Sequence, residues 1–525
     1  MEFGVVYLCL NRQTMKSFKR TKTINGIEYV YEITPYYDAE TKKVRQKSTY
    51  IGKDQNGTVR KVREKKVQDV FSFGEFLPVQ KIISQYKLDH FLNKELGKKQ
   101  AEAVIALSLG RLFKGLSLNN IADWYEGTWL YYQNRDVPLS SASISRLLSA
   151  IGEGRVQDKL AAHLIRQLKS KRTILYDITS VSSYSELIKL LEWGYNRDHY
   201  DLPQINLSVI LDKAEGIPLG YEIYPGSIND VVTLKNTMKK ISVHGVKDFT
   251  IVLDRGFFSI NNVELLLESQ ADFIMAVPER YQFAEKLISS LVREIDKPKY
   301  LKKFNDEIIF VKDVEFNVGT NKLPGYCYYN PSRAQQEKDS FYKRLYSIKE
   351  QVERLKIHKG VRNKALEIMD SLSGYFSLTI TDDHIDVQIK EKAVSRRLNK
   401  KGIFLIARNG EYAWDNCLSA YKEKELIERS FDILKNDLEF TTPQVHKDST
   451  LKGLMFISLI ALILRMRIMN ILKQADLIKS YSFEKMLIQL EKIKAVVLDN
   501  GQVIYSELTR KQKQLLEPFD AVPKS

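Results

Sequence analysis

A regular alternation of strand-like and helix-like segments between residues 171 and 281 constrains the fold of this chain more than any other feature. Runs rich in β-formers alternate with helical runs that begin near capping residues. In order, the segments are the strand KRTILYDITS, the hairpin INLSVILDKAEGIPLGYEIYPG, the helix NDVVTLKNTMKKI capped by Asn229 or Asp230, the strand DFTIVLD, the helix GFFSINNVELLLES and the strand ADFIMAVP. This order predicts an α/β fold built on a mixed sheet that is flanked by helices.

Changes in composition divide the rest of the chain. The alternation stops after residue 281, where short strands mix with a charged helix, and it resumes with the strand KGIFLIARNG. We therefore predict six regions: a basic β-rich N-terminal region (1–74), a helical candidate DNA-binding domain (75–170), the first part of the core (171–281), an α+β insertion (282–400), the second part of the core with a helix that carries a glutamate (401–445) and a helical C-terminal region (446–525).

The sequence patterns of the two N-terminal regions occur in nucleic-acid-binding proteins and also in proteins that bind no nucleic acid. Asn25-Gly26 and Asn56-Gly57 predict turns in a small sheet whose strands carry Lys and Arg. That sheet presents either a basic binding face or ordinary solvated charges. Further along, SLNNIADWYEGTWL and SSASISRLLSAIGEG predict two helices, with Arg146 near the start of the second. A DNA-reading helix pair and a plain helical bundle both fit this pattern.

Charge and cysteine content narrow the class of protein. The formal net charge of +16 and the pI of about 9.3 favour a polyanionic partner, most commonly nucleic acid, over a merely basic protein. Three distant cysteines form neither a disulfide framework nor a zinc site, which indicates a reducing cytoplasm.

Neither apolar stretch of the chain predicts a membrane segment. The run Gly453 to Leu464 is too short to span a bilayer and predicts a buried core helix, so no membrane partner is expected. The first fourteen residues do not resemble a signal peptide. Because Met15 opens the basic run MKSFKRTK, we interpret those residues as a start-site extension.

Three acidic residues occupy comparable places in the predicted core. Asp177 lies near the end of one strand, Asp254 ends another, and Glu428 lies on the helix after a third. Ligands collect outside the carboxyl ends of strands in open α/β sheets, so these side chains are expected to converge. Clustered carboxylates repel one another unless a divalent cation lies between them. Two hard cations about 4 Å apart would suit cleavage of a phosphodiester.

A stripe of polar residues surrounds the glutamate in the run YKEKELIERSFDILK. At about 100° per residue, Tyr421, Lys424, Glu428 and Lys435 fall near 0°, 300°, 340° and 320° on one helix face. The lysines and the phenol can contact phosphate while the glutamate binds a cation. The competing interpretation is a solvated face with i,i+4 charge pairs. Arg255, next to Asp254, can likewise contact phosphate or pair with a carboxylate.

The motifs YDITS, LDRGFFS and Y-x2-K-x3-E-x6-K resemble the three signatures of DDE transposases from prokaryotic insertion sequences. The similar subgroup has a third motif Y-x2-R-x3-E-x6-K and a large insertion before the final Glu in a ribonuclease-H-like core. PGSIND also resembles its G-N-x-x-D segment. The resemblance implies that Asp177, Asp254 and Glu428 are catalytic and bind Mg²⁺ or Mn²⁺, with two ions. It also implies DNA contacts by Tyr421, Lys424 and Lys435.

The same resemblance implies the partners and the reaction. The expected partner is double-stranded DNA, namely the terminal inverted repeats of the element and a target site, bound by a homodimer in the synaptic complex. The expected location is the cytoplasm of a prokaryote, in association with the nucleoid. Cleavage at the element ends and strand transfer would follow. A domesticated, non-catalytic DNA-binding protein and a nuclease without strand transfer remain the alternatives.

The sequence departs from the subgroup at three places. Lys424 stands where Arg is usual, which replaces a bidentate phosphate contact by a point charge. Ser227 replaces the motif Asn, and residues 282–400 contain no Trp to hold a flipped base. Three tyrosines of that region could stack on a base, although core packing is favoured for each of them: Tyr326, Tyr328 and Tyr329.

Overall fold

The computed structural model describes residues 16–523 except a set of short gaps at 39–40, 42, 56–57, 62–65, 169–171, 195–196, 198–200, 229, 244–248, 382 and 441–442. The proposed start-site extension, the Asn56-Gly57 turn and the cap at Asn229 lie outside the described residues. The chain divides into two compact units. Residues up to Val70 and Ala495–Ser506 form one unit, and Phe71–Lys494 with Glu507–Ser525 forms the other.

The first unit contains a four-stranded antiparallel meander. Its strands are β1 (Phe18–Ile24), β2 (Ile27–Asp38), β3 (Lys43–Gln55) and β4 (Thr58–Lys61), paired in chain order. The predicted turn at Asn25-Gly26 is confirmed, since both residues have the positive φ, 53° and 76°, that a tight hairpin turn requires. A fifth strand, β5 (Val67–Ser72), pairs with one strand near the C-terminus.

Seven helices follow, as predicted for residues 75–170. They are α1 (Phe76–Gln85), α2 (Leu88–Leu96), α3 (Lys98–Lys114), α4 (Ile121–Glu126), α5 (Trp129–Gln133), α6 (Ser141–Glu153) and α7 (Val156–Gln167). The prediction of one helix over SLNNIADWYEGTWL is wrong, because the chain forms a 3₁₀ turn, α4 and α5 there. Thr128 starts α5 by accepting a hydrogen bond from the Tyr131 N–H. The second predicted helix is α6.

The alternation between residues 171 and 281 is confirmed element by element. It comprises β6 (Arg172–Ser182), β7 (Gln204–Asp212), β8 (Ile217–Pro225), α8 (Asp230–Val243), β9 (Phe249–Leu253), α9 (Ile260–Glu268) and β10 (Asp272–Val277). The strands lie in the order β8-β7-β6-β9-β10, with β6, β9 and β10 parallel and the hairpin antiparallel. This is a mixed sheet flanked by helices, the ribonuclease-H-like arrangement.

Residues 282–400 contribute to this sheet and also form a packed body of their own. Their elements are α10 (Gln282–Leu291), β11 (Leu301–Phe304), β12 (Glu307–Val318), β13 (Asn321–Tyr329), α11 (Pro331–Glu353), α12 (Val361–Met369), β14 (Phe376–Ile380), β15 (Ile385–Ile389) and α13 (Glu391–Leu398). Strands β11, β12 and β13 extend the central sheet to nine strands through the next strand, β16 (Ile403–Asn409). The elements from α11 to α13 enclose a separate apolar core that includes Leu345, Val352 and Val387.

The remaining elements are α14 (Trp414–Lys422), α15 (Glu425–Asp432), α16 (Asp448–Gln474), α17 (Phe483–Leu490), β17 (Lys494–Leu498), β18 (Val503–Tyr505) and α18 (Arg510–Leu516). A π-helical turn, Ile433–Asp437, follows α15. The C-terminal region is therefore not wholly helical as predicted. The segment KAVVL forms β17, which pairs with β18 and β5, because its alternating burial suits a strand.

The apolar run 453–464 lies within α16 and is buried, as predicted for a core helix. The whole helix is long and apolar enough to cross a membrane, but 83% of its most apolar window is buried inside the protein. Two glycines let α16 and α6 cross at backbone contact. A Cβ at Gly152 would lie 1.9 Å from the Ser449 carbonyl oxygen, and one at Gly453 would lie 2.1 Å from that of Leu148.

Candidate active site

Strand pairing brings the first two predicted acids together. Tyr176 of β6 pairs with Leu253 of β9 in parallel register, so the residues that follow them, Asp177 and Asp254, lie side by side. Asp177 is midway along β6, not near its end as predicted. The strand continues to Ser182 because its other edge remains paired with β7. The two carboxyl groups therefore meet where the parallel pairing of β6 and β9 stops.

Asp177 is an acid in an environment that disfavours its charge. Burial raises its pKa to about 7, and the neighbouring charge of Asp254 adds to the increase. The Ile178 N–H donates a 2.8 Å hydrogen bond to the Asp177 carboxylate, which lowers the pKa of Asp177. The charges of Lys424 and Arg197 also lower this pKa. Asp177 thus lacks a charge partner strong enough to offset its desolvation.

Asp254 is held in the charged form instead. Burial alone would raise its pKa, but the Lys424 ammonium, the Arg255 backbone N–H and the Tyr421 hydroxyl together lower the pKa below its usual value. The Tyr421 hydroxyl donates a 3.0 Å hydrogen bond to Asp254 Oδ1, and Lys424 Nζ lies 3.3 Å from the same oxygen. The two neighbouring aspartates therefore differ in protonation tendency.

The predicted polar stripe is not carried by one continuous helix. Helix α14 ends at Lys422 and α15 begins at Glu425, with i→i+3 hydrogen bonds from the Lys424 N–H to Tyr421 and from the Ile427 N–H to Lys424. Residues three apart eclipse in such a tightened turn. Tyr421 and Lys424 consequently reach the same aspartate, whereas the π turn separates Lys435 from the regular spacing.

Lys424 links the helical acid to the strands. Its ammonium lies 3.1 Å from Glu428 Oε1 and 3.3 Å from Asp254 Oδ1. Although burial lowers the pKa of Lys424, the charges of Tyr421, Asp254 and Glu428 raise it above its usual value. Glu428 itself is half exposed, with 53% of its side chain accessible. A single positive charge thus lies between the second and third predicted acids.

The residues fit a divalent cation by their chemistry. Within the described part of the chain, no three His, Cys, Asp or Glu side chains are arranged as a ready metal site. However, carboxylate oxygens are the donors that Mg²⁺ and Mn²⁺ prefer. The Lys424 ammonium already occupies a position between Asp254 and Glu428, and Asp177 is desolvated beside Asp254. The chemistry of these side chains therefore fits a divalent cation, although the three acids are not arranged as a formed site.

Arginines surround the two aspartates. A cleft of about 800 Å³ contains both acids in its lining together with Arg197, Arg255, Arg280 and Arg397. Of these, sequence reasoning identified only Arg255. Arg280 follows the end of β10, where the strand-end rule could have found it. Arg397 comes from α13 and pairs with Glu279 at 3.2 Å, a long-range placement that the sequence pattern does not reveal.

Other predicted residues lie elsewhere. Arg146 is exposed on α6 and bonds within its own helix. Among the described lining residues, Lys435 and Arg146 border neither the aspartate cleft nor the adjoining cleft that Tyr421 and Lys424 line. Tyr326 and Tyr328 are buried, and their hydroxyls donate to the backbone oxygens of Tyr412 and Trp414, as the packing interpretation predicts.

The PGSIND segment is structurally constrained at its glycine. A Cβ on Gly226 would lie 2.3 Å from the Gln204 carbonyl oxygen and 2.4 Å from that of Glu192, so the backbone there approaches too closely for a side chain. Ser227, which replaces the motif Asn, donates a hydrogen bond to the Glu192 carboxylate. The departure from the motif therefore retains a polar contact.

The fold and the paired aspartates define a ribonuclease-H-like core with acids at adjacent strands. A family model described as "Transposase DDE domain" matches residues 168–464, more than half of the chain. The chain therefore belongs to this family, which confirms that it is related to DDE transposases.

Comparison with solved structures gives distant likenesses. One is the piggyBac transposase synaptic complex with hairpin DNA, at 10% identity and a TM-score of 0.38, covering 79% of each chain. Another is the Drosophila P element transposase strand transfer complex, at 12% identity and a TM-score of 0.20, covering 75% of this chain and 84% of that one. No curated protein matches the chain.

Proposed function

We propose that this transposase catalyses metal-dependent cleavage of DNA at the ends of an insertion sequence and transfers those ends into target DNA. The observation that carries the proposal is the cleft in which Asp177 and Asp254 lie among four arginines. Acids that attract cations and guanidinium groups that bind phosphate are both required around a scissile phosphodiester. The net charge of +16 supports a polyanionic substrate.

Asp177, Asp254 and Glu428 would hold one or two Mg²⁺ or Mn²⁺ ions. When bound, such ions activate the attacking oxygen and stabilise the leaving one. The protein supplies the remaining functions. Backbone pairing of β6 and β9 fixes the two aspartates, and the Lys424 ammonium, together with the Arg255 N–H and the Tyr421 hydroxyl, favours the charged form of Asp254.

Positive side chains around the acids would position the DNA. Arg255 and Arg280 line the aspartate cleft and would bind phosphates that flank the scissile bond. Lys424 would exchange its carboxylate partners for phosphate when a cation and DNA are bound, with Tyr421 donating a hydrogen bond beside it. Lys435 and Arg146 would contact DNA further from the acids.

The proposed partners follow from this reaction. The DNA would be the terminal inverted repeats of the element and a target duplex, and pairing of two ends would require a homodimer in the synaptic complex. The proposed location is the nucleoid in the cytoplasm of a prokaryote.

The test is incubation of the purified full chain with Mg²⁺ or Mn²⁺ and a duplex that carries the ends of its own element. Nicking at the ends followed by joining to a target plasmid is the expected result. Binding without nicking would instead identify a non-catalytic DNA-binding protein. Nicking without joining would identify a nuclease that lacks strand transfer.

A further inference from the structure

The N-terminal meander has an exposed face on which tyrosines and cations alternate. Antiparallel partners point to the same side of a sheet, and the register places Tyr29 beside Lys22 and Lys53, and Tyr31 beside Tyr50. We call these five residues, Lys22, Tyr29, Tyr31, Tyr50 and Lys53, the tyrosine face. Tyr50 is 39% exposed, and both lysines are exposed.

The rings on this face form a row. The Tyr50 ring centroid lies 6.0 Å from that of Tyr29 and 5.5 Å from that of Tyr31, with interplanar angles near 50°. Lys22 Nζ lies 5.6 Å from the Tyr31 ring, and Lys53 Nζ lies 5.6 Å from the Tyr29 ring. Each outer ring therefore has an ammonium group beside it on the surface.

The rings of this row are more accessible than the buried residues of β2, of which Ile33 lies on the same side of the sheet and Val30 on the other. The meander buries Val30 and Ile33, at 3% exposure each, whereas the three rings remain half-buried or exposed. Exposing a row of aromatic rings carries an unfavourable solvation cost, and aromatic rows with neighbouring cations are typical of surfaces that stack bases and bind phosphates. Paired bases within a duplex cannot stack on such rings, because their faces are already covered by neighbouring base pairs.

We propose that the tyrosine face binds single-stranded DNA, with bases stacked on the tyrosine rings and the lysines contacting the backbone phosphates. Charge complementarity supports this occupant, since Lys22 and Lys53 flank the row and Arg20 lies on the same side of β1. This site is additional to the duplex-cleaving function and does not depend on it.

The opposite face of the same strands offers matched controls. Tyr36 of β2 is 46% exposed, comparable with Tyr50, but it alternates to the other side of the sheet and pairs with Arg45. Lys19 of β1 is exposed like Lys22 and pairs with Glu32 on that other side. Two pairs of substitutions therefore compare the two faces at similar exposure.

The experiment measures fluorescence anisotropy of a labelled oligothymidylate of about 16 nucleotides with the full-length protein, without metal. Tyr50→Leu should weaken binding about fivefold to a hundredfold, the loss expected for one stacked base, whereas Tyr36→Leu should leave it unchanged. A random-sequence duplex should lose much less affinity with Tyr50→Leu. Equal effects of Tyr50→Leu and Tyr36→Leu, or equal losses for both DNA forms, would overturn the proposal.

Salt titration gives a second test that does not depend on the tyrosine variant folding. Lys22→Ala should reduce the slope of log affinity against log salt for the oligothymidylate by about 0.7, the value for one phosphate on a single strand. Lys19→Ala should leave the slope unchanged. Equal slopes for wild type and Lys22→Ala would remove the lysines from the site. Because neither assay measures cleavage, failure here leaves the proposed catalytic function untouched, and failure of cleavage leaves this site untouched.

Discussion

The candidate site has a strand half, Asp177 and Asp254, and a helix half, Tyr421, Lys424 and Glu428, and the two halves are held in place by different forces. Register between β6 and β9 places the aspartates, so their relative position is fixed by backbone hydrogen bonds. The helix half depends on side-chain contacts to Asp254, at 3.0 Å and 3.3 Å, and on a lysine–glutamate pair at 3.1 Å. Backbone placement is rigid, whereas partly exposed ion pairs exchange readily.

This difference indicates how the site would respond to a cation. The strand half keeps one acid desolvated and one charged, and neither changes position easily. The helix half presents a third acid whose partner is a lysine, so a metal ion would compete with Lys424 for the same carboxylates. If both halves act on DNA, substitutions in the strand half should affect cleavage, and substitutions of the lysines and the phenol should affect binding and stability.

The largest effect is expected when a carboxylate loses its charge. Asp177→Asn, Asp254→Asn and Glu428→Gln should each reduce cleavage by about a thousandfold or more, corresponding to about 4 kcal/mol, since each removes a proposed metal ligand without removing bulk. Binding of end DNA should remain. Asp432→Asn, an exposed acid on α15, is the control that should cleave normally. An acid whose variant cleaves at the wild-type rate is not a ligand.

The next effect concerns phosphate contacts by the lysines of the third motif. Lys424→Ala and Lys435→Ala should each reduce the slope of log affinity against log salt for end DNA by about one. Titrations with metal present compare a lysine that contacts Asp254 with a lysine on the π turn. If only the Lys435→Ala line is parallel to wild type, phosphate binding is confined to the lysine beside Asp254. If both lines are parallel to wild type, neither lysine of the motif takes part in DNA binding.

The strand half also predicts a dependence of stability on pH. Because the pKa of Asp177 is raised to about 7, the folded metal-free protein binds a proton that the unfolded chain releases near pH 4, so this residue reduces stability progressively from about pH 4 to 7. The melting temperature of Asp177→Asn should therefore exceed that of wild type by a margin that grows to about pH 7 and is constant above it. A margin independent of pH would mean that folding leaves the pKa of Asp177 unchanged.

The smallest effect is expected for the phenol. Tyr421→Phe should reduce the free energy of unfolding by about 1 kcal/mol, since one hydrogen bond to Asp254 is lost. Urea denaturation of Tyr421→Phe, Asp254→Asn and the double variant measures the coupling between the two residues. Additive losses would show that the hydrogen bond contributes nothing, and the helix half would then be attached by Lys424 alone.

The sequence predicts the local elements of this fold better than it predicts pairing between distant strands. The five core strands and both intervening helices were predicted because their apolar periodicity is local. The placement of β11 to β13 in the central sheet was not, because the elements α11 to α13 separate β13 from its sheet partner β16 along the chain, and such distant pairing leaves no local signal. The alternation of KAVVL was missed for a related reason, since its partner β5 lies at the other end of the chain.

The residues of the candidate site were also predicted only where the signal is local. Asp177 and Asp254 were selected because they were predicted near strand ends, and Glu428 because it lies on the helix after a strand; the structure brings the two aspartates together. The helix stripe assumed regular spacing, which the i→i+3 turn at Lys424 and the π turn at Ile433–Asp437 both interrupt. Arg397 reaches the cleft through the packing of α13, so only tertiary structure could reveal it.

The most direct test of the account is Mn²⁺ binding to the DNA-free protein, followed by the loss of the free-ion electron paramagnetic resonance signal. If the acids share a cation with which Lys424 competes, Asp254→Asn should weaken binding, and Lys424→Met should strengthen it severalfold, on the order of 1 kcal/mol. The control is Lys422, whose ammonium pairs with Glu307. The Lys422→Met variant should bind Mn²⁺ with wild-type affinity. Equal Mn²⁺ affinity for wild type, Asp254→Asn and Lys424→Met would contradict the account.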